Sequence, residues 1–262
     1  MKFNLLLRRL RWSLGLVCGL VLLFQSCTDT AKTDSIAERT TVTAKRVNPV
    51  PSLAADRYNV AFLIMDGTYN TELTAPYDIF QHTQFRESIK AMNVFTVANT
   101  KSPITTFEGL RLLPDFDYTT DSLPTIDILV VPSAEHHLDS DLEDEILLDF
   151  VRKVDKQATF VTSHCDGAFV LAAAGLLDDH VCTTFPADIN TMRARFPELD
   201  IRKDVLFVHD GKYITSAGGA KSFEAALYLT EILYGDSIAR SLSSGLVIDW
   251  DLKAVPHLIV AD

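Results

Sequence analysis

Apolar strands alternate with helical segments along most of this chain, and this alternation constrains its fold more than any other feature. Residues 58–65 and 126–131 are almost continuously apolar, which is typical of strands buried on both faces of a sheet. Segments with helical spacing of apolar residues lie between such runs, for example at 142–154. The sequence therefore predicts an α/β domain in which helices cover both faces of a mostly parallel sheet. Functional side chains in such sheets lie beyond the carboxyl ends of the strands.

Periodicity and turn residues also predict the remaining elements of the domain. Strands are expected at 94–98, 159–162 and 181–185, and helices at 72–83, 167–177, 187–196, 222–234 and 237–243. Hairpins are expected at 104–113 and 206–216, where Gly109 and the Asp210–Gly211 pair supply the turns. The predicted domain spans residues 58–250, and residues 251–262 are assigned to a C-terminal tail.

Residues 1–26 have the pattern of a secretory signal peptide. Basic residues come first, an apolar stretch follows at 12–24, and Ser26 directly precedes Cys27. The apolar stretch is shorter than the roughly 20 residues that a transmembrane helix needs. A small residue before a cysteine suits a lipoprotein signal peptidase, so we expect an exported protein of the bacterial cell envelope. It would face the periplasm and be membrane-anchored through a lipid on Cys27. A simple membrane anchor and ordinary secretion with a free Cys27 are the alternatives.

Composition separates a polar tether from the domain and excludes one class of partner. Residues 27–57 are rich in Thr, Ala, Ser and charged residues without an apolar period, which predicts a disordered tether. The formal net charge is −11, and it becomes −15 when the leader with its four basic residues is removed. Such an acidic chain repels phosphate backbones, so nucleic acid is not expected as a partner.

The segment 161–168 carries the sharpest chemical pattern in the chain. A short predicted strand leads directly into Cys165, and a helix rich in small residues follows at once. This is the layout of a nucleophile elbow, and Gly167 supplies the small residue that the tight turn needs. N–H groups at the start of the helix would favour a thiolate there. The alternative is a buried, inert cysteine. The other cysteine of the domain, Cys182, lies in a predicted buried strand and is assigned to the core.

Four segments in the same order along the chain resemble the DJ-1/PfpI family of the class I glutamine amidotransferase-like superfamily. These segments are 72–80, 130–132, 165–177 and 215–219. The resemblance covers residues 58–250. Within the family, the chain resembles more specifically the isonitrile hydratase-like branch and the amidase-like domain of certain transcription regulators. It implies a flavodoxin-like or class I amidotransferase-like sandwich. Members are often dimers, so a homodimer is one assembly that the resemblance implies.

The resemblance also implies roles for individual residues. Cys165 would be the nucleophile, and the carboxyl of Glu72 would approach it, keep its proton, donate to the sulfur and lower the cysteine pKa. Backbone N–H groups of Ser133, Ala134 and Asp166 would form the oxyanion site. The alternative for Glu72, from the residues alone, is an ordinary acidic residue that complements a helix dipole.

This sequence departs from the family pattern at three places. Relatives often have His after the Thr-Thr pair that follows the elbow, whereas Phe185 stands here. Ser133 and Ala134 occupy the positions where relatives commonly carry two glycines, and the shape of an oxyanion site depends on them. The negative charge of Asp166 beside the cysteine opposes thiolate formation.

Histidines elsewhere could supply the missing base. His136 and His137 lie in the loop that should overhang the pocket, where either could reach Cys165 or simply be solvated. His164 precedes the cysteine, but neighbours on a strand point to opposite faces, so it is expected to pack away from the pocket. No metal site and no cofactor is expected.

Three functions are compatible with these residues. The first is a cysteine-dependent hydrolase or lyase in which Cys165, assisted by Glu72, attacks a small electrophilic molecule such as an isonitrile, aldehyde or amide. The second is a redox or stress-response protein whose thiolate oxidises reversibly. The third is a non-catalytic envelope lipoprotein that binds a small molecule. The expected partners are a small-molecule substrate or ligand and the membrane that holds the lipid anchor.

Overall fold

The computed structural model of the protein describes residues 50–261. The predicted signal peptide, Cys27 and most of the predicted tether lie outside these residues. The strands are β1 Tyr58–Leu63, β2 Met92–Ala98, β3 Ile104–Thr105, β4 Arg111–Leu112, β5 Phe116–Asp117, β6 Ile128–Val131, β7 Phe160–His164, β8 Val181–Cys182, β9 Asp200–Ile201, β10 Phe207–Asp210, β11 Tyr213–Ser216 and β12 His257–Ile259. The α-helices are α1 Asn70–Gln81, α2 Glu145–Asp155, α3 Gly167–Ala173, α4 Ile189–Arg195, α5 Ser222–Tyr234 and α6 Asp236–Gly245.

One eight-stranded sheet organises the domain. Its strand order is β12-β10-β11-β7-β6-β1-β2-β5, and neighbouring strands are parallel except for the antiparallel pair β10–β11. The pairs β3–β4 and β8–β9 form two small separate sheets. In the part of the chain that the structure describes, no helix is long and apolar enough to cross a membrane.

The continuous apolar strands divide their side chains between two cores, one on each face of the sheet. In β1, Ala61 and Leu63 join the core that includes residues of α2, α3 and α4. Val60 and Phe62 point the other way and join the core with residues of α1, α5 and α6. Because both faces of the strand are covered, neither needs polar residues, and the predicted α/β class with a mostly parallel sheet is confirmed.

Both predicted hairpins are present, since β3 pairs with β4 and β10 pairs with β11 in antiparallel register. The helix predicted over 167–177 ends earlier, at Ala173, because Gly175 takes a positive φ of 75° that no α-helix continues. The strand predicted over 181–185 contains only the two residues of β8 and belongs to a small sheet. The segment 251–262, assigned to a tail, contributes β12 to the main sheet, so the domain continues beyond residue 250.

Candidate active site at the carboxyl ends of four strands

The cysteine elbow lies at the carboxyl end of β7, directly before α3. Cys165 is 7% exposed and has a φ of 54°, an uncommon value for a residue with a side chain. Its N–H donates to the carbonyl of Ser216 at 2.9 Å. Two glycines make room for the turn: a Cβ on Gly167 would lie 2.1 Å from the carbonyl oxygen of Val131, and a Cβ on Gly218 would lie 2.3 Å from Cβ of Cys165. Backbone packing from three neighbouring strand ends therefore fixes the cysteine.

Glu72 comes from the first turn of α1 and is buried beside the elbow. Its Oε2 accepts a hydrogen bond from the N–H of Ser133 at 3.0 Å, and its Oε1 accepts one from the N–H of Gly219 at 3.1 Å. Its carboxyl also hydrogen-bonds to the thiol of Cys165. Burial raises the pKa of Glu72 to about 7, although the two backbone donors act in the opposite direction. Near neutral pH this carboxyl is therefore present in both protonation states.

The side chain of Asp166 lies on another side of the same sulfur. Sγ of Cys165 donates to Oδ2 of Asp166 at 3.6 Å, and the hydroxyl of Thr184 donates to Oδ1 at 3.2 Å. Burial, followed by the negative charge of Asp188, raises the pKa of Asp166 to about 6. The cysteine thiol thus contacts two buried carboxyl groups, one before α3 and one from α1.

These surroundings favour a protonated thiol. Burial, then the negative charges of Glu72 and Asp166, raises the pKa of Cys165 above its ordinary value, and the N–H of Asp166 only partly offsets them. The direction is opposite to the lowered pKa expected from a protonated Glu72 alone. A nucleophilic role for this sulfur therefore requires that its proton leaves while the new bond forms.

Each of the three histidines singled out in the sequence has partners away from the sulfur. Nδ1 of His137 accepts from the N–H of Ala134 at 3.1 Å, and burial lowers the pKa of His137 to about 3. His164 is also buried, which lowers its pKa to about 3, and its Nδ1 lies 2.8 Å from Oγ of Ser216. The hydrogen-bond partner of His164 is therefore a residue of β11 rather than Cys165.

His136 is exposed, and its Nδ1 lies 3.2 Å from Oδ1 of Asp139. The buried Nε2 of His137 has no hydrogen-bond partner among residues 50–261, and the carboxylate of Asp141 lies 3.8 Å from it. The hydrogen-bond partners of the two loop histidines are therefore Ala134 and Asp139, and a role for either histidine at Cys165 stays a prediction.

The three backbone donors predicted for an oxyanion site are already engaged. The N–H of Ser133 donates to Glu72, and the N–H of Ala134 donates to His137. The N–H of Asp166 is directed at the sulfur of Cys165. In this structure Glu72 and His137 thus accept the N–H groups of Ser133 and Ala134, and an oxyanion site at these residues stays a prediction.

Tyr69 is a residue of the site that the sequence analysis missed. Its ring stacks on Phe107 with centroids 4.5 Å apart and an interplanar angle of 20°. Burial raises the pKa of the Tyr69 phenol, and the nearby carboxyl groups of Glu72 and Asp166 act in the same direction. The signal in the sequence was its position, four residues after the end of the predicted first strand and three residues before Glu72.

The described part of the chain offers no obvious cofactor or metal site at the elbow. Among residues 50–261, no group of three or more His, Cys, Asp or Glu side chains is arranged to hold a metal ion. A cavity of about 460 Å³ lies between α2 and the loop 118–126, away from Cys165. The chemistry available at the elbow is therefore that of a thiol, two carboxyl groups and a phenol.

Known proteins are similar to this chain in sequence and in fold. The model of the DJ-1/PfpI family matches residues 58–232. The isonitrile hydratase of Pseudomonas putida is 32% identical over 183 residues, covering 69% of this chain and 74% of that enzyme. The transcriptional regulator CdhR of Pseudomonas aeruginosa is 33% identical over 102 residues, but these are only 30% of the regulator. The crystal structure of a ThiJ/PfpI family protein from Pseudomonas syringae shares the fold, with a TM-score of 0.65 and 24% identity over 77% of this chain and 82% of that one.

Proposed function

Because this chain belongs to the DJ-1/PfpI family, we propose that it is a cysteine-dependent enzyme that adds water to a small electrophile, with isonitriles as the substrate class. The observation that carries the proposal is the thiol of Cys165, held on a strained elbow in contact with two buried carboxyl groups. The similarity to an isonitrile hydratase over most of the domain supports the choice of substrate class.

The reaction begins with the sulfur of Cys165 adding to the terminal carbon of the isonitrile. The thiol proton ends on that carbon, and the product is a thioimidate in which the carbon is bound to sulfur, hydrogen and nitrogen. Water then adds to this carbon, the carbon–sulfur bond breaks, and an N-substituted formamide leaves while the thiol is restored. No oxidant or reductant is consumed.

Glu72 assists by donating a hydrogen bond to the sulfur. Its raised pKa of about 7 keeps part of the population protonated near neutral pH, and the proton stabilises the negative charge that develops on sulfur. The N–H groups of Ser133 and Gly219 hold the carboxyl in place. The stacked rings of Tyr69 and Phe107 supply an apolar wall for the substituent of the isonitrile.

A non-catalytic, ligand-binding role is the second candidate. It is favoured by the engaged N–H groups of Ser133 and Ala134 and by the similarity to part of a transcriptional regulator. A redox-sensing thiol is less well supported, because the surroundings raise the pKa of Cys165 while sensor cysteines depend on thiolate character.

Turnover of an isonitrile separates these functions. The full-length protein is incubated with cyclohexyl isocyanide, and formation of the corresponding formamide is followed by mass spectrometry. We expect product with the wild type and with Cys182→Ala, whose thiol is buried in β8, but none with Cys165→Ala. Binding of the isonitrile without product, measured by calorimetry, would favour the ligand-binding role and contradict the enzymatic one.

We also propose that the protein is exported and anchored in the cell envelope through a lipid on Cys27, which rests on the sequence pattern of residues 1–27. Mass spectrometry of the amino-terminal peptide from a membrane fraction tests this. A lipid mass on Cys27 is expected, and an intact Met1 would contradict it.

A further inference from the structure

The proposed reaction needs a group that moves the thiol proton of Cys165. The thiol is protonated at rest, and in the product of addition its proton has moved to the substrate carbon. His137 and His164, buried and uncharged, hydrogen-bond elsewhere, and His136 lies on the surface. Phe185, at the position where relatives often have His, cannot carry a proton. The proton carrier must therefore be another group that contacts the sulfur.

Asp166 meets the geometric requirement better than Glu72. Both oxygens of Glu72 already accept backbone N–H groups, from Ser133 and Gly219. Oδ2 of Asp166 accepts the thiol itself at 3.6 Å, within the longer range of sulfur hydrogen bonds. Although Asp166 stands at the start of α3, its side chain forms no capping hydrogen bond to that helix. One oxygen of its carboxyl therefore contacts the sulfur, and the carboxyl does not cap α3.

Thr184 fixes the orientation of this carboxyl. Its hydroxyl lies 3.2 Å from Oδ1 of Asp166 and 3.0 Å from the carbonyl oxygen of Cys165, and the residue is 1% exposed. The hydroxyl therefore holds Oδ1, which leaves Oδ2 toward the sulfur. A carboxyl held in this way can take a proton from the thiol without moving.

We propose that Asp166 is the general acid–base of the reaction, carrying the proton of Cys165 to the substrate carbon and later returning a proton to the sulfur. This inference rests on the proposed function. In the first step Oδ2 takes the thiol proton as the carbon–sulfur bond forms, and then gives it to the isonitrile carbon. In the second step the carboxylate takes one proton from the attacking water and returns it to sulfur as the carbon–sulfur bond breaks. The second proton of the water passes from the new hydroxyl oxygen to nitrogen, which gives the formamide. Atoms and charge balance without another reactant.

Four titratable groups, Cys165, Asp188, Glu72 and Tyr69, interact with Asp166, and the hydroxyl of Thr184 adds a hydrogen bond. Cys165 and Thr184 hydrogen-bond to it, Asp188 acts on it through its charge, and its own charge acts on Glu72 and Tyr69. An ionised Asp166 and a protonated Glu72 are the active combination, which agrees with their pKa values of about 6 and about 7. We expect a bell-shaped dependence of kcat/KM on pH with limbs near these values.

The first test is Asp166→Asn in the full-length protein. The oxygen of the amide still accepts a hydrogen bond from the hydroxyl of Thr184, but the amide cannot take up a proton. We therefore expect kcat to fall at least about 100-fold with little change in KM. The acid limb of the pH profile should disappear. Alkylation of Cys165 by iodoacetamide should become faster at a given pH, because a negative charge that raises the pKa of the thiol is gone. A purely electrostatic role would make turnover rise together with alkylation, and that result would overturn the proposal.

Asp188→Asn is the matched second variant, because it leaves the contact between Asp166 and Cys165 intact. Removing the charge of Asp188 lowers the pKa of Asp166, so the acid limb should move to lower pH while kcat at the optimum stays within about twofold of the wild type. An acid limb that does not move would contradict the assignment of that limb to Asp166. If the wild type forms no formamide, the proposed function is wrong, and the role of Asp166 is wrong with it. Turnover by the wild type and by Asp166→Asn at equal rates removes only the role of Asp166.

Discussion

Replacing Gly218 by Ala is the most direct test of how the backbone fixes the cysteine elbow. Gly218 has φ 76° and ψ −158°, a region open almost only to glycine, and strain there costs about 1–3 kcal/mol. The new Cβ would also lie 2.3 Å from Cβ and 2.6 Å from N of Cys165, so the strand ends must separate, and overpacking of this kind costs about 1–3 kcal/mol. We therefore expect the free energy of unfolding to fall by about 2–6 kcal/mol.

Gly219→Ala is the matched control for this prediction. Gly219 also has a positive φ, 56°, but nothing lies within 4 Å of an added Cβ, and alanine keeps the N–H that donates to Glu72. Only the backbone cost of roughly 1–2 kcal/mol remains. Urea denaturation followed by circular dichroism gives both free energies. If Gly218→Ala loses no more stability than Gly219→Ala, the close approach between Gly218 and Cys165 does not exist and the argument for a backbone-fixed elbow fails.

Three further predictions concern stability and activity. Burial raises the pKa of Glu72 from 4.5 to about 7, so its contribution to stability is full below pH 4.5 and is lost as the pH rises through about 7, a change of about 3 kcal/mol. Glu72→Gln should flatten that part of the pH dependence in urea titrations, and an unchanged slope would contradict it. His136→Ala should leave formamide production unchanged and stability within about 0.5 kcal/mol, because the side chain is exposed. Gly167→Ala should lower stability by about 1–3 kcal/mol in thermal melts, because its Cβ would meet the carbonyl of Val131 at 2.1 Å.

The fold class could be predicted from the sequence because its determinants are local. A strand covered on both faces must be apolar at every position, as residues 60–64 are, and the helices between such strands show their own period. Gly167 two residues after Cys165 indicated the elbow for a similar reason, since a tight turn leaves no room for a side chain. The short strands β5, β9 and β12 are exceptions, because two or three residues carry too little pattern to be recognised as a strand.

The partners of the site residues could not be predicted, because they come from loops that only the folded sheet brings together. Glu72 follows β1, Ser133 follows β6, Cys165 follows β7 and Gly219 follows β11. The register of four neighbouring strands decides that the carboxyl of Glu72 accepts from both backbone N–H groups. The sequence indicated that the charge of Asp166 opposes a thiolate. For the same reason it could not show that the carboxyl of Asp166 accepts a hydrogen bond from the thiol.

The pair of carboxyl groups offers a physical reason why a site of this kind can act without histidine. Addition of a thiol to an isonitrile needs one group that accepts a proton and one that donates a hydrogen bond to sulfur, and both must change state near neutral pH. Burial gives Asp166 a pKa of about 6 and Glu72 a pKa of about 7, values in the range that a free imidazole has. Their different hydrogen bonds then separate the roles: two backbone donors hold Glu72, while one hydroxyl leaves Oδ2 of Asp166 for the thiol. Two carboxyl groups whose pKa values burial raises toward neutrality can therefore supply an acid and a base in one site.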